Sequence, residues 1–206
     1  MQVPMNLTPD LLIGRGRDRL CYRHPNDPDF CIKVAANGPE KQTRREKEYF
    51  LYLLRKGADL RYIAPYMGEV ETSMGTGGLF PLVRNDNGEV SRTLSQSIHA
   101  GEIDQLTVEN KLNELYCYLL NNGICTRDIS PNNIMVRRRG EQLDFILIDG
   151  VSSPGHNPLT IRLPALVKRA IDKSWESLMR KVKQLLDTVG SKAAPLQPPA
   201  AISATI

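Results

Sequence analysis

Residues 125–136 read CTRDISPNNIMV. An acid, Asp128, is followed five positions later by an amide, Asn133, with Pro131 between them and the apolar run Ile134-Met135-Val136 directly after. Pro and Asn punctuate a turn, and the apolar run reads as a strand. The acid and the amide therefore sit on a loop that leads into a strand. Upstream, Leu112, Leu115, Tyr116, Leu119 and Leu120 recur at helical spacing over 107–120, and Asn121-Asn122-Gly123 stops that helix. Downstream, RRRGEQ (137–142) reads as a turn, and 145–148 (FILI) as a strand ending in Asp149-Gly150.

Toward the N-terminus, an apolar run at 11–13 is ended by Gly14-Arg15-Gly16. RLCYR (19–23) and FCIKVA (30–35) read as strands joined by HPNDPD, a cluster of turn formers. A helix is expected over 40–55, where Tyr49, Phe50, Tyr52, Leu53 and Leu54 share a spacing and Gly57 supplies a stop. Residues 61–72 and 78–83 read as further strands separated by a flexible SMGTGG, and 93–103 as holding a short helix. Past the irregular SSPGHNP, residues 163–189 read as a helix with Leu166, Ile171, Trp175, Leu178, Val182 and Leu185 on or near one face. The Pro-rich 191–206 is expected to be a disordered tail.

Composition narrows the function classes. The formal net charge of +4 suits an anionic ligand and falls far short of a nucleic-acid-binding tail. No apolar run approaches the roughly 18–20 residues a membrane span needs, and MQVPMNLTPD lacks the pattern of a signal peptide. Cys21, Cys31, Cys117 and Cys125 form no CxxC pair, which points to reduced thiols and a cytoplasmic setting.

The order of these parts resembles the protein-kinase-like fold from about residue 11 to residue 151: a Gly-containing turn between two strands, a Lys on the third strand, an acid-bearing helix, a D-x-x-x-x-N loop, and a strand ending in Asp-Gly. The resemblance implies an α+β, two-lobed fold. A small antiparallel-sheet N-lobe would span 1–84 and a truncated, mainly helical C-lobe 85–190. It also implies ATP and Mg²⁺ as cofactors. Lys33 would hold phosphates and Asp128 would orient the acceptor hydroxyl. Asn133 and Asp149 would hold the metal, Gly14 and Gly16 would border the phosphates, and Leu82 and Val83 would grip adenine. An acid on the 40–55 helix would pair with Lys33; Glu46 is favoured by its apolar neighbours at +3, +4 and +7, with Glu48 the alternative. Arg15, Arg17, Arg19 and Arg23 crowd the Gly turn, either as phosphate contacts or, the plainer expectation, as a solvated basic hairpin.

Departures from that pattern are equally legible. Thr126 replaces the usual His, and Ser130 stands where Ser/Thr kinases carry a Lys. The third loop Gly is missing, Asp149 is followed directly by Gly150, and no A-P-E ends an activation segment. Too few residues follow Asp149 for a protein-substrate platform. Within that fold, LIGRGRDRLCYRHPND, RREKEYFLYL and ICTRDISPNNIMV resemble the bacterial PhoP regulatory network protein YrbL family. This resemblance implies a regulatory setting in envelope or magnesium stress. The expected partners are a nucleotide and an unidentified phosphate acceptor. The alternative is a catalytically inactive nucleotide-binding regulator acting through a protein partner.

Overall fold

HPNDPD turns the chain back on itself, and its two flanking strands lie in the middle of a five-stranded antiparallel sheet. The computed structural model describes residues 3–16, 18–36, 41–127, 129–153, 161 and 163–192, with the side chains of 41–45 and 191–192 excepted. β1 (Leu12–Arg15), β2 (Arg19–Arg23), β3 (Phe30–Ala35), β4 (Gly68–Thr72) and β5 (Gly75–Pro81) form this sheet in the order β1-β2-β3-β5-β4. α1 (Lys41–Arg55) crosses from β3 to β4. A second, three-stranded sheet runs β6 (Arg92–Thr93), β7 (Ile134–Arg139) and β8 (Gln142–Leu147). α2 (Leu94–His99), α3 (Gln105–Asn122) and α4 (Pro164–Lys192) complete an α+β chain with four α-helices among the described residues.

Period-two alternation sets the two faces of the first sheet. Leu20 and Tyr22 of β2 lie opposite Val34 and Ile32 of β3, and these four pack with Leu7 into a small outer core. Arg19, Cys21, Cys31 and Lys33 therefore take the inner face. There Cys31 and Phe80 join a larger core with Tyr49, Phe50 and Leu53 of α1. That core runs on without a break through Leu94, Leu112, Leu115, Leu119, Ile134 and Leu147 to Ile171, Leu178 and Val182 of α4.

Local chemistry fixes the ends of the helices. α2 starts with a reciprocal cap: Thr93 Oγ1 accepts from the Gln96 amide, and the Thr93 amide donates to Gln96 Oε1. Asp104 caps α3, and Gly123, at φ 59°, ends it in the left-handed conformation.

Four expectations are corrected. The glycines of SMGTGG are largely strand, not spacer. A Cβ on Gly77 would lie 2.5 Å from Ile32 Cγ2, so β5 needs glycine to lie against β3. The strand expected over 61–72 begins only at Gly68; before it, Ile63 makes an isolated bridge to Leu147. Arg137-Arg138-Arg139 are strand residues of β7, and the turn is Gly140-Glu141. Asp144 of β8 accepts from Arg137 at 2.9 Å and Arg139 at 2.6 Å, so one carboxylate across the pair of strands offsets part of the charge run. In α4 the inward stripe starts at Val167, not Leu166, which is 39% exposed; the helix also takes in residues 191–192. The rest of the expected tail, 193–206, and most of SSPGHNP lie outside the described residues.

Candidate functional site

A cleft of about 580 Å³ opens between the inner face of the first sheet and the second sheet. Gly14, Lys33, Leu82 and Val83 line it, together with Phe80, Met135, Asn132 and Ile148. The pairing of β1 with β2 shifts register between Leu12 and Gly14, both of which line the cleft. Gly16 is not part of this lining; its amide donates to the Arg19 carbonyl at 2.8 Å and closes the β1–β2 turn. Leu82 donates its amide to the Asp29 carbonyl, and the Val83 carbonyl accepts from Ser91.

Two backbone contacts join the stretch 125–136 to the end of β8. The Arg127 amide donates to the Gly150 carbonyl at 2.6 Å, and the Ile148 amide donates to the Asn133 carbonyl at 2.9 Å. Asn133 closes a single 3-10 turn, Pro131–Asn133, and thus stands beside the Ile148-Asp149-Gly150 segment. Asp128 itself lies outside the described residues, between Arg127 and the buried Ile129. The loop is anchored from both sides. Tyr49 Oη of α1 accepts the Cys125 amide at 2.7 Å, and Thr126 Oγ1 meets Ser174 Oγ of α4 at 2.6 Å. Ser174 donates to the Ile171 carbonyl, so Thr126 is the donor of the pair.

The charged centre differs from the expected one. Lys33 is buried, its Nζ donating to the Ile148 carbonyl at 2.5 Å and lying 4.4 Å from the centre of the Phe80 ring. Glu46 is buried in the same region, as its apolar neighbours imply, while Glu48 is exposed. The ion pair of Glu46, however, is with Arg19. Both guanidinium ends reach its carboxylate, and Arg19 Nη2 also donates to Asp149 Oδ1 at 2.7 Å. A planar fork can hold two carboxylates at once, whereas the Lys33 ammonium is a point charge given to a carbonyl and a ring. Arg19 thus departs from the solvated basic hairpin that the run of arginines suggests. Arg15 and Arg23 are exposed there, but Arg19 has only 7% exposure. The signal that could have found it is strand alternation, which puts 19 on the same face as 21 and Lys33's partner position.

The electrostatics follow from burial and these contacts. Burial pushes the Asp149 carboxyl up, but the Lys33 and Arg19 charges outweigh it and hold it at about 2. Burial pushes the Glu46 carboxyl above its usual range against the pull of Arg19. Burial works against the Arg19 charge, yet Glu46 and Asp149 together raise its pKa above the ordinary arginine value. Asp149 Oδ1 accepts from both Arg19 and the Gly150 amide; Oδ2 takes no hydrogen bond among the described residues.

The family model for PhoP regulatory network protein YrbL matches residues 5–183, a span that contains every residue of this site. The YrbL proteins of Escherichia coli (strain K12) and Shigella flexneri are each 36% identical to the chain over 170 residues, covering 80% of it and 81% of the relative. The family's description sets its members in the PhoP regulatory network. With a match of that extent, the chain belongs to the PhoP regulatory network protein YrbL family.

Proposed function

We propose that the chain is a Mg²⁺-dependent ATP phosphotransferase built on a two-lobed, protein-kinase-like fold, acting on an unidentified acceptor within PhoP-linked envelope or magnesium-stress regulation. One observation carries this reading. The loop bearing Asn133 is tied by two backbone hydrogen bonds to the segment bearing Asp149, beside a cleft into which Lys33 is built. The five-stranded sheet with α1 corresponds to an N-lobe, and the second sheet with α2 to α4 to a short C-lobe. The cleft has the volume of a small-molecule site, and Phe80, Met135 and Ile148 give it apolar walls suited to a purine. The Leu82 carbonyl and the Val83 amide would read the adenine edge, since the complementary groups of both residues are already engaged.

The donor set fits a hard divalent cation: Asp149 Oδ2, which takes no hydrogen bond among the described residues, and the Asn133 side-chain oxygen lie on adjoining segments, and both are the oxygen type such an ion prefers. When bound, Mg²⁺ would neutralise charge on the transferring phosphoryl group. Lys33 would hold phosphate oxygens and Asp128 would orient the acceptor hydroxyl. Gly14 borders the cleft where the phosphates would lie, and Gly16 shapes the turn above it.

Thermal unfolding with ATP, with and without Mg²⁺, tests the reading. At a ligand concentration 100 times Kd, mass action stabilises by about 2.7 kcal/mol, a rise of roughly 5–10 °C for a chain of this size. No Mg²⁺-dependent rise at millimolar ATP would refute it. Ser130, in place of a phosphate-contacting Lys, favours a second reading, a nucleotide-binding regulator without turnover that acts on a protein partner. Asp128→Ala discriminates. The enzyme keeps ATP binding and loses turnover; the regulator has no turnover to lose and loses binding with Lys33→Ala.

A further inference from the structure

Arg19 occupies a position that the proposed chemistry does not account for. It is a buried cation bonded to a carboxylate assigned to metal binding. We infer that Arg19 closes the cation seat to bare metal, so that a divalent ion enters only together with the polyphosphate of a nucleotide. The inference rests on the reading of Asp149 as a metal ligand.

Three observations support it. Arg19 Nη2 and the Gly150 amide saturate Asp149 Oδ1, each at 2.7 Å, which leaves a single carboxylate oxygen for a metal. Both guanidinium ends are fixed by Glu46 on α1, and the residue is 7% exposed, so the charge cannot swing away into solvent. Among the described residues the seat holds two cations, Arg19 and Lys33, against two carboxylates, Glu46 and Asp149. Among the described residues a bare dication meets no net negative charge there, and it lies close to a fixed positive one. A polyphosphate supplies the missing negative charge, and its arrival turns the same two cations into an attraction.

The probe is Mn²⁺ alone, titrated while its free-ion EPR signal is followed. A unit charge some 5 Å from a divalent ion changes affinity by about tenfold even in a water-like dielectric. Wild-type protein should bind Mn²⁺ weakly, and Arg19→Gln about tenfold more tightly. Should Glu46, left without its partner, unfold that variant, the Arg19→Gln/Glu46→Gln double variant removes the orphaned charge; it restores the overall charge balance but still takes away the cation bonded to Asp149, so a gain of the same sign and smaller size is expected. Adding Asp149→Asn should abolish the gain. A folded variant that binds Mn²⁺ no better than wild type, or a gain that survives Asp149→Asn, overturns the inference. The wild-type thermal shift with Mg²⁺ and ATP separates the two ideas. Its absence alongside the Mn²⁺ gain sinks the phosphotransferase reading and the entry of metal with a nucleotide, and supports only the exclusion of bare metal by Arg19.

Discussion

Tyr49→Phe isolates the contact by which α1 holds the start of the 125–136 loop. The substitution removes one oxygen and leaves the ring, so the apolar packing of Tyr49 in the main core is kept. What it removes is the acceptor for the Cys125 amide, 2.7 Å away. Tyr49 is 2% exposed and Cys125 is fully buried, so water cannot replace the hydroxyl. An orphaned buried N–H costs about 1–3 kcal/mol. For a domain of this size each kcal/mol shifts the midpoint by about 2–4 °C, so a fall of roughly 2–12 °C is expected. Tyr52→Phe is the internal control. Its hydroxyl donates to the Ile161 carbonyl at 3.1 Å in a half-buried setting, where water can substitute, and it should cost under about 1 kcal/mol. Thermal and urea unfolding followed by circular dichroism measure both, with an unchanged urea m-value expected. The reasoning is refuted if Tyr49→Phe melts within about 1 °C of wild type, or if Tyr52→Phe costs as much.

Three other perturbations follow from the same geometry. Gly77→Ala should destabilise by about 1–3 kcal/mol in urea unfolding, because its Cβ would collide with Ile32 in β3; a neutral result would mean that the two strands can part. Asp149 has a depressed folded pKa of about 2 against 3.8, so its contribution, about 2 kcal/mol, is complete above pH 4 and is lost as pH falls toward 2; Asp149→Asn should flatten that limb of the stability–pH curve, and an unchanged curve would assign the acid sensitivity elsewhere. Thr126→Val keeps the shape of the side chain and removes its donor to Ser174, and should lower the unfolding free energy by about 1 kcal/mol, with no change refuting the contribution of that bond.

Elements that depend on local signals were legible in the sequence. α3 is announced by its apolar stripe and by Gly123, and the β2–β3 hairpin by HPNDPD. α2 was visible only as a short helix somewhere in 93–103, since its reciprocal cap, not periodicity, sets its start. What was hidden depends on a neighbour distant in the chain. Gly77 reads as flexible until Ile32 and Val34 fill the space where its side chain would be. The three arginines of β7 read as a turn until Asp144 appears across the hairpin. At the site, order and spacing put Lys33 on the third strand and Glu46 on the helix, and the resemblance to the kinase-like fold implies that Asn133 and Asp149 come together. The pairing could not be read that way. Which cation takes Glu46 is decided by the inner face of β2, where Arg19 reaches two carboxylates from different parts of the chain.

The hydrogen bond from Thr126 to Ser174 has a consequence during synthesis. Its two ends are 48 residues apart, and the second lies on α4. At about 5–20 residues per second, the ribosome needs roughly 2–10 s to make the intervening chain. Through that interval the loop has its α1 anchor, already translated, and lacks its α4 anchor. A nascent chain with the strands of both sheets already made therefore still holds a loop anchored from one side, and the second anchor waits for α4.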